Sequence, residues 1–318
     1  MIDRYGRRVT YLRVSLTNRC QLDCSYCTLQ EEPASVLRPD ELGTILGVAT
    51  RRLGIRKVRL TGGEPTLRKD LPEVVERIAH LPGMREVALT TNALLLDRRS
   101  ADLAAAGLTT INVSCDSLRP ERFRELTGGG DLNQVLAGLR AAREAGIPKR
   151  KLNVVLMGGI NEDEVEAFVH FAAEEDVEVR FIEHMPMDAE RVSQWRVDPK
   201  DVLRSMSAGG ELEPLPTSRD GGPAERFQIG KARVGFIHAI SNPFCDRCNR
   251  LRVTAEGKIR SCLLTGGEVD LAAAVRSEQT PEAIEDELVA LFRKAADAKP
   301  PIYDLQREGS IPMRSIGG

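Results

Sequence analysis

Between Tyr11 and about Met185 the sequence repeats one pattern, a short β-rich run followed by a longer helical one, and few folds satisfy that repetition. The strand candidates are Tyr11–Leu16, Lys57–Thr61, Glu86–Thr91, Thr110–Cys115, Leu152–Met157 and Val177–Ile182. Helical patterns lie between them, over Asp40–Leu53, Asp70–Leu81, Arg98–Ala106, Leu132–Ala145 and Glu162–Glu174. Gly54, Gly107 and Gly146 each follow a helical pattern where a left-handed cap is expected. Such alternation predicts a parallel sheet. Six units are too few for the usual eight-stranded barrel, so the expectation is an α/β fold built as an open, partial barrel. A doubly wound sheet is the main alternative.

Parallel strands covered on both faces read as continuous apolar runs. Several strands here do not. Lys57, Arg59 and Thr61 share one face of their strand, as do Asn112, Ser114 and Asp116, and again Lys151 and Asn153. One such strand suggests an edge facing water; three suggest a cavity for polar ligands. After Met185 the rhythm stops. Gly209 to Pro223 reads as a surface connection, short strand-like runs follow from Arg226, and a helix is expected near Pro281–Ala296. The expected division is therefore 1–185 for the partial barrel and 186–318 for an α+β extension.

The chain has 318 residues and a net charge of −2, so no general positive field recommends it for nucleic acid. No apolar run approaches the ~20 residues of a membrane span, and Met1 to Thr10 is polar. A cytoplasmic protein is expected. In a reducing compartment seven cysteines call for metal or redox chemistry rather than disulfides. Six fall into two sets, Cys20, Cys24 and Cys27, then Cys245, Cys248 and Cys262; Cys115 stands alone and reads as a buried, inert thiol.

The first set, C-x3-C-x2-C, directly follows the first predicted strand. Three thiolates on one loop suit three irons of a 4Fe–4S cube, whereas structural zinc usually takes four ligands. In this place the spacing resembles the hallmark of the radical S-adenosylmethionine superfamily. That resemblance implies a cluster whose free iron chelates S-adenosylmethionine and whose electron releases a 5′-deoxyadenosyl radical. It also implies that Tyr26 packs near the adenine and that the segment Gly62-Gly63-Glu64-Pro65 meets the methionyl group through Gly63. Thr90, Ser114 and Met185 fall at strand ends where the superfamily contacts its small molecules.

The second set, C-x2-C-x13-C, has His238 nearby, and the residues alone leave zinc and iron–sulfur equally open. From Arg13 to its last glycines, however, the chain resembles the GTP 3′,8-cyclase family of molybdenum-cofactor synthesis. The resemblance implies a second 4Fe–4S cluster that binds the guanine of GTP. It implies GTP contacts at Arg13, Arg59, Thr90, Lys151, Arg180, Arg250, Leu251 and Arg252, and a catalytic role for Gly317 and Gly318. An electron donor, a companion cyclic pyranopterin monophosphate synthase and room for a homodimer follow from it too. A triphosphate carries roughly four negative charges, and burying it requires several cations at close range. No G-x4-G-K-[ST] loop is present, which counts against an NTPase switch. Two other readings keep part of this evidence: a radical peptide modifier and a non-catalytic metal-binding module. Ala93 and Thr28-Leu29-Gln30 stand where the family usually has Gly and a Met-Pro sequence, and both departures are expected to act on loops.

Overall fold

A computed structural model describes residues 1–27, 31–185, 195–208, 210–216, 222–263 and 268–301. The six expected strands are present as β1 (Tyr11–Ser15), β2 (Lys57–Thr61), β3 (Glu86–Thr91), β4 (Thr110–Ser114), β5 (Lys149–Leu156) and β6 (Glu178–Glu183). They pair in that order, all parallel. β5 begins three residues earlier than expected, so Lys151 lies inside it.

The intervening helices are α1 (Pro39–Leu53), α2 (Leu71–Ala79), α3 (Leu96–Ala105), α4 (Pro120–Thr127), α5 (Leu132–Glu144) and α6 (Val165–Glu174). α1 shows how local sequence sets them. Pro39 opens its first turn, the Glu41 carboxylate accepts the Arg38 amide at 2.8 Å, and Gly54 closes it at φ 72°. Leu42, Ile45, Leu46, Ala49 and Leu53 form the buried stripe that holds it on the sheet. α4 was not anticipated; its apolar content is only Phe123 and Leu126 on the buried side.

The C-terminal part does more than extend the barrel. It supplies α7 (Pro199–Ser207), β7 (Glu213–Pro214), β8 (Glu225–Ile229), β9 (Ala232–Ile237), β10 (Arg250–Val253), β11 (Lys258–Arg260), β12 (Glu268–Asp270), α8 (Leu271–Val275) and α9 (Pro281–Asp297). β9 joins β6 in parallel and β10 joins β1 in parallel, so the parallel stretch reads β10-β1-β2-β3-β4-β5-β6-β9. Antiparallel β8 and β7 continue one edge, and β11 and β12 the other. Among the described residues the two outer edges do not pair, which leaves the barrel open.

Side chains alternate cleanly across this sheet. Leu12, Val14, Val58, Leu60, Leu89, Ile111, Val113, Leu152, Val154, Val179, Phe181, Leu251 and Val253 face the helices and form the core. The opposite face carries Tyr11, Arg13, Lys57, Arg59, Thr90, Ser114, Asn153, Arg180, Arg250 and Arg252 around a cavity. The apolar half of the period stabilises the fold, at roughly 25 cal/mol per Å² buried, and frees the polar half for a ligand.

Candidate active site

The cavity, about 370 Å³, opens at the C-terminal ends of the strands, and both cysteine sets face into it. Cys20, Cys24 and Cys27 lie on the loop after β1. Two backbone amides hold that loop against the β2 end: that of Gly63 donates to the Thr17 carbonyl and that of Glu64 to the Arg19 carbonyl, both at 2.7 Å. A Cβ on Gly63 would press into the Arg19 carbonyl oxygen and lie 2.5 Å from that of Asn18. The loop is pinned from the other side by α4, where the Asp23 and Ser25 amides donate to Thr127 and Leu126 carbonyls at 3.0 and 2.9 Å. The Leu22 amide and the Asn92 side-chain amide donate to Cys20 Sγ at 3.4 and 3.7 Å.

Glu64 is buried and accepts from Thr66, Thr91 and the Asn92 amide, so its role is to tie the β2 and β3 ends together. Burial raises its pKa, against the pull of these donors. Ala93 next to it sits at φ 65°, the conformation for which the more usual glycine is suited. The departure leaves Thr90 on the cavity wall, and Thr28 to Gln30 lie outside the described residues.

Tyr26 is anchored rather than free on its loop. Its hydroxyl donates to Asp116 Oδ2 at 2.6 Å, and the Val155 amide donates to Asp116 Oδ1 at 2.7 Å. Burial raises Asp116 to about 6, although the Tyr26 hydroxyl and the Val155 amide act in the opposite direction. Ser114 and Met185 share this part of the wall.

On the other side the strands bring cations together. In the β10-β1-β2 register, Arg252 lies opposite Arg13 and Arg13 opposite Arg59. Like charges so placed repel one another. Burial, then Arg252, lowers the Arg13 pKa well below its ordinary value, and burial, then Arg250, draws Arg252 to about 10. Buried Arg59 Nε and Thr90 Oγ1 have no hydrogen-bond partner among the described residues. Arg180 is paired with Glu178 at 2.6 Å, and Glu178 also holds Arg226 at 3.1 Å. A site of this composition suits a polyanion carrying hydrogen-bonding groups.

Cys245, Cys248 and Cys262 stand beside this cationic wall, with Arg250 stacked on Phe244 at 4.7 Å. Burial acts to raise the Cys248 thiol, but Arg250 and Lys299 outweigh it and bring it to about 6. A thiolate is the form that binds iron. His238 is engaged at both ring nitrogens, with Glu225 at 3.1 Å and Ser241 at 3.2 Å, so it is not poised as a fourth zinc ligand. Among the described residues no three His, Cys, Asp or Glu side chains converge as ligands of a single ion; a cubane offers each thiolate its own iron.

Comparison with known proteins finds relatives along the whole chain. The GTP 3′,8-cyclase of Moorella thermoacetica is 40% identical over all of both chains. That of Heliobacterium modesticaldum is 42% identical, again over the full length of both, and that of Streptomyces coelicolor 42% over all of this chain and 96% of that protein. This chain belongs to the GTP 3′,8-cyclase family. The Radical SAM superfamily profile matches residues 14–172 and the Molybdenum Cofactor Synthesis C profile residues 177–305. The solved structure of Streptococcus suis SuiB bound to S-adenosylmethionine superposes with a TM-score of 0.64 at 18% identity, over 90% of this chain and 68% of that one, which speaks to the fold.

Within this cyclase-family chain, most residues singled out in the sequence meet at one cavity: the six cysteines, Tyr26, Gly63, Ser114, Met185, Thr90, Arg13, Arg59, Arg180, Arg250 and Arg252. Two sit elsewhere. Leu251 turns its side chain outward into the core, because it alternates with Arg250 and Arg252. Lys151 is buried on the inner face but below the cavity wall, closer to the start of β5. Gly317 and Gly318 lie outside the described residues. Cys115 is buried, its thiol raised by desolvation and then by Asp116, as an inert thiol should be. Lys57 and Asp116 line the cavity on the polar faces the alternation marked, but the sequence held no signal for Asp116 as the anchor of Tyr26 or for Lys299.

Proposed function

We propose that this chain converts GTP to (8S)-3′,8-cyclo-7,8-dihydroguanosine 5′-triphosphate, the first step of molybdenum-cofactor synthesis, with S-adenosylmethionine and two 4Fe–4S clusters. The observation that carries the reading is one cavity walled by two cysteine triads and, between them, the Arg252–Arg13–Arg59 ladder. Cys20, Cys24 and Cys27 hold the first cluster and Cys245, Cys248 and Cys262 the second. When bound, the first cluster and S-adenosylmethionine would supply a 5′-deoxyadenosyl radical to take hydrogen from C3′ of the ribose; C3′ would then join C8 as the C8=N7 double bond opens, with one further electron and a proton completing the dihydroguanine.

The remaining work is done by the chain itself. Arg13, Arg59, Arg250 and Arg252 hold the triphosphate, with Arg180 and Lys151 adding charge from the neighbouring strands. Thr90 offers its hydroxyl to the nucleotide. The Leu251 side chain faces the core, so its contribution is through the backbone. Tyr26, fixed by Asp116, together with Gly63, Ser114 and Met185, orients S-adenosylmethionine. The Gly317-Gly318 end, with no Cβ at either residue, takes the catalytic role of helping to align C3′. The division at residue 185 separates the cofactor half from the half with the second cluster.

The reading also brings a cytoplasmic location, an external electron donor, a companion synthase that consumes the product, and room for a homodimer. Among the described residues no helix is long and apolar enough to cross a membrane. The test is anaerobic incubation with reductant, S-adenosylmethionine and GTP deuterated at C3′. The product is an isomer of GTP, so the decisive signal is deuterium in the 5′-deoxyadenosine formed. Undeuterated 5′-deoxyadenosine with unchanged GTP would refute the reading.

A further inference from the structure

Lys299 lies just beyond α9, far in sequence from any cysteine, yet its ammonium ends at the second cysteine set. The residue is 2% exposed. Its Nζ donates to Cys248 Sγ at 3.5 Å, to the Arg250 carbonyl at 2.7 Å and to the Ser261 carbonyl at 3.3 Å. Three donors thus meet three acceptors, which a buried ammonium requires. Ser261 immediately precedes Cys262, and Arg250 starts β10 two residues after Cys248. One side chain therefore joins the two segments that carry these cysteines. From the other terminus Arg7, paired with Asp3 at 2.6 Å, donates to the Cys245 carbonyl at 2.8 Å.

The choice of a cation here needs a reason. Carbonyls alone could be joined by a neutral donor at less cost than a buried charge. The third acceptor is the Cys248 sulfur, 3.5 Å from Nζ, and a ligating thiolate is the acceptor that suits a charged donor. Hydrogen bonds to ligating sulfur, and nearby charge, set the reduction potential of an iron–sulfur cluster.

We propose that Lys299 is a positioning residue for the second cluster, whose ammonium donates to the Cys248 thiolate, makes the cluster easier to reduce, and fixes the strand bearing Arg250 and Arg252. This inference rests on the reading that Cys245, Cys248 and Cys262 hold a cluster, and its test separates the two.

The parent for the test is the Cys20→Ala/Cys24→Ala/Cys27→Ala chain, in which only the second site binds iron. About four irons per chain are expected there; a parent without iron overturns both the cluster reading and this inference. In that parent, Lys299→Met should keep the iron but shift the midpoint potential, read by redox titration of the cluster's EPR signal, to more negative values. Lys299→Arg should restore the potential. Iron retained with an unshifted potential in Lys299→Met overturns the inference alone. If Lys299→Met loses the cluster, Lys299→Gln decides, since it keeps a donor without the charge. A lowered potential, or loss of iron in Gln but not in Arg, supports the role of the charge; a parental potential in Gln, or loss in all three variants, overturns it.

Discussion

Replacing Lys151 by Met should stabilise the protein without GTP and weaken its hold on GTP. Lys151 stands on the inner face of β5, 9% exposed. Burial, then Arg180, draws its pKa down from 10.5 to about 7, with Arg59 and Lys57 adding to the repulsion and Glu178 opposing it. At about 1.36 kcal/mol per pH unit, holding the ammonium charged in the unliganded protein costs on the order of 5 kcal/mol. The sign follows from linkage. Between about pH 7 and 10 the unfolded chain binds a proton that the folded chain does not, so stability rises with pH across that window. Below about pH 7 the whole cost is present. Met has similar length and no charge, so its unfolding midpoint at pH 7 should exceed that of the parent protein, and the gap should narrow towards pH 9. GTP should reverse the preference, because a triphosphate favours the ammonium. Near pH 8 its binding should take up close to one proton at Lys151, so the calorimetric heat will vary with the buffer's ionisation enthalpy, and Lys151→Met should lose that uptake. A stability gap independent of pH, together with equal proton uptake in both proteins, would refute the reasoning.

Arg250→Ala or Arg252→Ala should weaken GTP binding by about 1.5–3 kcal/mol, the worth of one charge-assisted contact, with iron content unchanged; unaltered calorimetric affinity in both variants would return them to a purely structural role. Gly63→Ala should displace the first cysteine loop, because the added Cβ meets backbone oxygen of Asn18 and Arg19 rather than a movable side chain. About half of the iron should be lost with it, and full iron with normal S-adenosylmethionine cleavage would contradict the packing argument. A chain ending at Ile316 should bind GTP and both clusters yet form little cyclised product; full turnover by that truncated chain would leave the two glycines as a simple end.

Some of this protein is determined by sequence read locally. The period-2 pattern of Val58 and Leu60 against Lys57, Arg59 and Thr61 specifies which face of β2 meets the helices and which meets a ligand. The three cysteines after β1 lie within eight residues, so their joint chemistry is visible before any folding is considered. Even the difference between Leu251 and its flanking arginines is contained in alternation, once β10 is known to be a strand.

Other features exist only because distant segments meet. Nothing near Arg250 announces that β10 pairs in parallel with β1, yet that pairing sets Arg252 opposite Arg13 and builds the cationic ladder. Nothing near Pro120 announces that α4 will clamp the first cysteine loop. The Lys299 ammonium and its Cys248 partner are separated by 51 positions and are joined only when α9 docks on the sheet. Local periodicity records which face of an element is apolar, because burial acts on each element alone. It does not record which element lies beside which, because that follows from the packing of all of them at once. The cysteine spacing was therefore legible along the chain, while the shared cavity that both triads line was decided by the sheet.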